Sequence, residues 1–208
     1  MSRGPLKIGV LGSGRGTNFE AIISAIRNKK LKGEVRLVVS DVASAPILEK
    51  ARAFGVPALA LPTSRYQTRL EPEIESHLAN VLCDAGVELL VLAGYMRMVK
   101  APLLERFKGR IVNIHPSLLP AFPGLNAWRQ ALDSGVEWTG CTVHWVDAGM
   151  DTGAILAQKR VPVESGDTAE SLHERIQVAE RQLYPEVLQE LSQSWGTCFP
   201  RPSWVCLP

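Results

Sequence analysis

An amide and an imidazole stand two residues apart in Asn113-Ile114-His115-Pro116. Residues i and i+2 of a strand share a face, so Asn113 and His115 project together while Ile114 turns into the core. Pro116 keeps His115 extended and ends the strand. Acyl-type transfer needs donors aimed at an oxyanion and a group able to exchange a proton. An amide N–H beside an imidazole supplies both. No serine or cysteine lies in a nucleophile motif such as G-x-S-x-G, which points to a substrate amine as the nucleophile. Taken alone, the pair also suits a plain strand-end cap. Asp151 lies in Asp147-Ala148-Gly149-Met150-Asp151-Thr152-Gly153, and near His115 its carboxylate would favour the imidazolium and fix the ring. Asp and Gly are also ordinary turn residues.

A second polar segment is Gly12-Ser13-Gly14-Arg15-Gly16-Thr17-Asn18. Glycines let a ligand approach the backbone, and a helix start offers unpaired N–H groups, so a phosphate is the natural guest. The dinucleotide fingerprint requires glycine where Thr17 stands, and the G-K-[ST] of a P-loop is absent. Asp41 at the end of the next strand could imitate the ribose-binding acid of a nicotinamide site. An anion site, a nicotinamide site and a capped turn without ligand all remain open from this motif.

The elements that must position these groups alternate. Strands are predicted over 6–12, 34–40, 56–61, 87–93 and 110–115, with helices over 17–31, 45–54, 66–85 and 102–107. Such βαβ units give a doubly wound α/β sheet, mostly parallel, with helices on both faces. Ligands of such sheets collect at the carboxyl ends of the strands, where both polar segments fall. Beyond His115, SLLPAFPG reads as a loop and 126–133 as a helix. Segments 139–146 and 154–163 alternate as an antiparallel pair added to the sheet. A helix over 168–192, capped by Thr168, closes the domain. Residues 1–194 are expected as one domain and 195–208, with Pro200, Pro202 and Pro208, as an irregular tail.

Composition narrows the classes. The 208 residues carry 23 basic and 21 acidic side chains with no block of one sign, which disfavours nucleic acid as a partner. The four cysteines and four histidines show no metal-ligand spacing, so neither a metal site nor a disulfide framework is expected. Cys83 and Cys141 read as buried thiols of a reducing compartment. No run approaches the roughly twenty apolar residues of a membrane span, and the N-terminus lacks signal-peptide features. A cytoplasmic protein without a membrane partner is expected.

The assembled motifs resemble the folate-dependent formyltransferases. They are GSGRGTN (12–18), LAGYMRMV (92–99), NIHPSLLPAFPG (113–124), GCTVHWVDAGMDTG (140–153) and VAERQLYP (178–185). The resemblance implies a Rossmann-like formyltransferase fold, with a phosphate-binding half over 1–100 and a folate-binding, catalytic half over 101–194. It implies 10-formyltetrahydrofolate as co-substrate and the amine of glycinamide ribonucleotide, an intermediate of purine synthesis, as acceptor. A monomer or homodimer is implied. Carried over residue by residue, Asn113 and His115 stabilise the oxyanion, and Asp151 keeps His115 protonated and relays a proton. Gly16, Thr17 and Asn18 cradle the acceptor phosphate, and Glu180, with Gln177, meets the rest of the acceptor. Met96, Arg97, Met98 and Val99, together with Asn113, Asp147 and Asp151, line the folate pocket, and the 96–99 and 147–151 segments read the pterin edge largely through backbone. Arg65 and Arg69 are both candidates for the folate's glutamate tail, and Arg69 is included among the folate-binding residues. His144 is either a support behind the site or a packed strand histidine.

Relatives that formylate tRNA add a barrel domain and a basic surface, and relatives that hydrolyse the formyl-folate carry an extra N-terminal domain. Another formyltransferase or hydrolase of this fold is the nearer alternative. A nicotinamide-dependent oxidoreductase is the alternative from a different class.

Overall fold

The computed structural model describes residues 4–195. Its strands are β1 (Leu6–Leu11), β2 (Gly33–Ser40), β3 (Ala58–Ala60), β4 (Leu89–Leu92), β5 (Ile111–His115), β6 (Trp138–Trp145) and β7 (Ile155–Pro162). The helices are α1 (Thr17–Arg27), α2 (Pro46–Ala53), α3 (Pro72–Asp84), α4 (Ala101–Arg106), α5 (Ala127–Asp133) and α6 (Ala169–Ser194).

One seven-stranded sheet has the order β3-β2-β1-β4-β5-β6-β7. The first five strands in that order are mutually parallel, and β6 and β7 are antiparallel additions. All four residues of β4 are buried, as a central parallel strand covered on both faces requires. The two faces carry separate cores. Phe19 and Ile22 of α1, Ile47 of α2 and Leu172, Ile176 and Tyr184 of α6 pack on one. Leu78 and Leu82 of α3 and Leu103 of α4 pack on the other.

Three boundaries differ from the sequence expectation, each for a local reason. The third helix starts at Pro72 rather than near 66, because proline fits the first helical turn, where no N–H is needed. Residues 62–71 form a connecting loop instead. Helix α1 stops at Arg27, with Lys29 in the left-handed region at φ 58°. Trp195, assigned to the tail, is 7% exposed and packs into the core beside α6, so the folded unit runs at least one residue further. Residues 196–208 of the expected tail lie outside the described residues.

Helix α6 carries Thr168 as N-cap, whose hydroxyl accepts from the Ser171 N–H while the Ser171 hydroxyl accepts from the Thr168 N–H. This reciprocal cap fixes the start of the helix. Its next turns then present His173, Gln177 and Glu180, spaced i, i+4 and i+7, on one face.

Candidate active site

A cavity of about 450 Å³ opens at the carboxyl ends of β1, β4 and β5, the position where open α/β sheets bind ligands. It runs from the start of α1 to the loops that follow β5 and β6.

Strand register assembles the end of the cavity beside β5. Asn113 pairs with His144 and His115 with Thr142 across β5 and β6. The Asn113 Nδ2 donates to His144 Nε2 at 3.2 Å, and the His144 Nδ1 donates to the Trp145 carbonyl at 2.9 Å. Burial pushes the His144 pKa down, so the ring stays neutral with its proton on Nδ1 and its Nε2 free to accept. Its 3.6 Å approach to Asp151 is therefore not an ion pair. Asp151 instead serves His115: its Oδ2 lies 3.3 Å from His115 Nδ1 and accepts from the Gly124 N–H at 2.9 Å. The His115 Nε2 donates to the Phe122 carbonyl at 2.8 Å. Both ring nitrogens thus face oxygen acceptors. Donation from Nε2 to a substrate oxygen requires that oxygen to replace the Phe122 carbonyl.

Two loops hold this end. Phe122 and Asp151 adopt left-handed backbone, φ 56° and 55°, a conformation that is uncommon outside glycine and that gathers at functional sites. In the second loop Asp147 Oδ1 accepts from the Gly149 N–H and the Thr152 hydroxyl. Gly153 lies so close to the Trp145 carbonyl that a Cβ there would sit 1.7 Å from its oxygen. The turn is compact, and it delivers Asp151 to His115.

The other end is built from backbone. Gly16 caps α1 with φ 73°, and the first N–H groups of the helix have no acceptor within it. Gly14, Gly16, Thr17 and Asn18 line the cavity. The glycines act differently from the sequence expectation. A Cβ at Gly12 would lie 2.7 Å from Ile47, and one at Gly16 would lie 3.0 Å from the Ile47 Cα. Both glycines let α2 pack close beneath the turn. Gly14 alone of the three faces open space.

Asn18 and Glu180 face each other below this turn, with the Asn18 Nδ2 donating to Glu180 at 3.0 Å. Glu180 is 7% exposed, and burial raises its pKa to about 7 against the opposing hydrogen bond from Asn18. Gln177 accepts from Arg15 at 3.1 Å and contacts His173, whose ring stacks on Trp128 with centroids 3.7 Å apart.

The wall on the β4 side runs from Tyr95 to Val99. Two backbone donors expected to read a ligand are engaged within the protein. The Met96 N–H donates to the Ser13 hydroxyl at 3.0 Å and the Met98 N–H to the Thr68 carbonyl at 2.8 Å. The Arg97 guanidinium is likewise turned away, onto Asp41 at 2.6 Å and the carbonyls of Tyr66 and Arg69. Asp41 is thereby occupied, which removes the acid that a nicotinamide ribose would need.

The structure therefore gathers Asn113, His115, Asp151, His144, Asp147, Gly16, Thr17, Asn18, Gln177, Glu180 and the 96–99 segment around one cavity. Arg69 is not in its wall: the guanidinium lies 4.5 Å from the Tyr66 ring centre, and Thr68 lines the cavity instead. Arg65 is also outside, beside Glu71 and Tyr66. Each of the two expected halves contributes to both ends, since α6 serves the helix-start end and the 96–99 segment the other. Arg15, Trp128 and His173 also line the cavity and had no assigned role. The helical spacing of His173 from Gln177 and Glu180 was the available signal. Among the described residues no group of His, Cys, Asp and Glu could hold a metal ion, and no helix is long and apolar enough to cross a membrane.

A formyl transferase family model matches residues 6–188. The chain is 42% identical to phosphoribosylglycinamide formyltransferase of Bacillus subtilis over 185 residues, covering 89% of this chain and 94% of that one. It is 44% identical to the trifunctional purine biosynthetic protein adenosine-3 of Gallus gallus, covering 88% of this chain but only 18% of that much longer protein. Among solved structures, glycinamide ribonucleotide transformylase 1 from Symbiobacterium toebii superposes with a TM-score of 0.87 at 49% identity, covering 91% and 89% of the two chains. The family match takes in every strand of the sheet and the Asn113, His115, His144 and Asp151 cluster, and the chain belongs to the formyl transferase family.

Proposed function

We propose that this protein transfers the formyl group of 10-formyltetrahydrofolate to the amine of N1-(5-phospho-D-ribosyl)glycinamide, a step of purine biosynthesis. The observation that carries this reading is one cavity lined both by the helix start and by the Asn113, His115 and Asp151 cluster, with the buried Glu180 carboxyl in the same wall, bonded to Asn18. A small phosphorylated amine fits that sequence of groups.

The acceptor phosphate sits on the N–H groups of Gly16, Thr17 and Asn18, where the helix start favours negative charge. Gln177 and Glu180 meet the ribose and glycinamide portions. Flat pterin and benzoyl rings suit the opposite end, where Met96, Leu125 and Met150 are 63%, 73% and 53% exposed at the rim. With the Met96 and Met98 N–H groups engaged, the backbone of Arg97 and Val99 reads the pterin edge, beside the Asp147–Asp151 turn.

The acceptor nitrogen attacks the formyl carbon, and a C–N bond forms while the carbonyl oxygen gains negative charge. Asn113 donates to that oxyanion from its second Nδ2 hydrogen, the first being held by His144, and the His115 imidazolium supplies positive charge beside it. Asp151 maintains that imidazolium and receives the amine proton on its way to the folate nitrogen. The bond from the formyl carbon to the folate nitrogen then breaks. The free thiols of Cys83 and Cys141 fit a cytoplasmic setting.

An absorbance assay of folate deformylation, run with and without the acceptor, tests the reading. Acceptor-dependent release with formylated glycinamide ribonucleotide as product is expected. Release at the same rate without acceptor would favour a hydrolase instead.

A further inference from the structure

The wall that faces the folate is not a strand of the sheet, yet it is fastened at every second residue. The N–H groups of Met96, Met98 and Lys100 donate to the Ser13 hydroxyl, the Thr68 carbonyl and Glu75 Oε1 at 3.0, 2.8 and 2.6 Å. Between the first two, Arg97 reaches Asp41. The Arg97–Asp41 pair is 2.6 Å long with side chains only 11% and 5% exposed, and the Ser13 hydroxyl donates to the other Asp41 oxygen at 2.6 Å. The same guanidinium donates to the carbonyls of Tyr66 and Arg69. One carboxylate at the end of β2 thus joins the glycine-rich turn, the 96–97 segment and the loop before α3.

We infer that Asp41 is a positioning residue for the folate, acting through Arg97 and Ser13 to hold the 96–99 wall in its reading geometry. The inference rests on the proposed function for the identity of the ligand. Asp41 touches no part of the cavity itself. A buried charge-assisted hydrogen bond is among the stronger side-chain contacts, and removing one partner leaves the other charge unpaired. Without Asp41 the Arg97 side chain loses its buried counter-charge, and the two loop carbonyls lose the orientation of the group that binds them. Ser13 would keep its contact to Met96 but lose the acceptor that orients its hydroxyl. The wall would then sample several conformations, and folate binding would bear the cost of ordering it. Asp41 reaches the acceptor end only through the Ser13 hydroxyl. The backbone of that turn is also tied by the Ser13 N–H to the Gly94 carbonyl and by the Ile47 N–H to the Gly14 carbonyl, so the acceptor end depends on Asp41 far less.

The test separates the two ligands. In Asp41→Asn, which keeps the size of the side chain and removes its charge, KM for 10-formyltetrahydrofolate should rise about tenfold, as for a lost charge-assisted contact. KM for glycinamide ribonucleotide should change less than about twofold by the same reasoning. Asp41→Glu, which restores the charge, should recover much of the loss. Equilibrium titration with tetrahydrofolate gives the same comparison without turnover, so it still reads the role of Asp41 should the assigned reaction fail. Equal weakening of both ligands, or lowered thermal stability with both KM values unchanged, would overturn the inference. If Asp41→Asn does not fold, Ser13→Ala supplies the comparison: a rise of about threefold confined to the folate supports it, and no difference between the ligands overturns it.

Discussion

The two ends of the cavity are built by opposite means. At the start of α1 the groups facing a ligand are backbone N–H groups, placed by a strand, a tight turn and a helix whose positions the sheet dictates. At the end of β5 the lining groups are side chains from segments 113–115, 144 and 151, held partly by one another and partly by the Trp145 and Phe122 carbonyls and the Gly124 N–H. The first end needs the fold together with the α6 side chains Gln177 and Glu180 that line it. The second needs two loops with left-handed residues at Phe122 and Asp151. Under the proposed function the backbone end binds, because its dipoles are present before the ligand arrives, and the side-chain end carries the chemistry.

Substitutions at the two ends should therefore differ in kind. His115→Ala should lower kcat by roughly 10²–10⁴-fold with little change in acceptor affinity, as for a proton-exchanging group, measured by steady-state kinetics and calorimetry. Asp151→Asn should cost about 10²–10³-fold in kcat. Turnover within about threefold of the native protein would break the pairing.

At the backbone end, Gly16→Ala should act on binding. Its Cβ would press on the Ile47 backbone at a φ of 73°, at a stability cost of about 1–3 kcal/mol. The acceptor KM should rise about tenfold with kcat less affected, as a kinetic split would report.

Glu180→Gln should sharpen the comparison through stability. Burial holds the Glu180 carboxyl near pKa 7 against an ordinary 4.5, so between those values the folded state keeps a proton that the unfolded state has released. Stability therefore falls as pH rises through that window. The full cost is roughly 3 kcal/mol at 1.36 kcal/mol per pH unit. Glu180→Gln should escape it, matching the native protein near pH 4.5 and exceeding it at pH 8 in chemical denaturation, while binding the acceptor more weakly. Equal stability gain at both pH values would show that the carboxylate is not held unfavourably.

Much of this was legible in the sequence because it rests on short-range rules. Apolar runs, amphipathic periodicity and turn residues indicate each strand and helix to within a few residues, with a larger error only at the start of α3, and the i, i+2 rule places Asn113 beside His115 on β5. What escaped the reading is set by distant contacts. Nothing near Asp41 shows that Arg97, fifty-six residues later, would occupy it. Nothing near Met96 and Met98 shows that their N–H groups face Ser13 and Thr68 rather than a ligand. The glycines at 12 and 16 looked like ligand clearance, but the atom they avoid is Ile47 of α2. The stacked pair of Trp128 and His173 joins α5 to α6, and no local pattern links them.

The separation of binding from chemistry is tested most directly by titrating glycinamide ribonucleotide into His115→Ala in a calorimeter. A dissociation constant within about twofold of the native protein, alongside the collapse in turnover, is the expected result. Acceptor affinity that falls in step with turnover would contradict the division between the two ends.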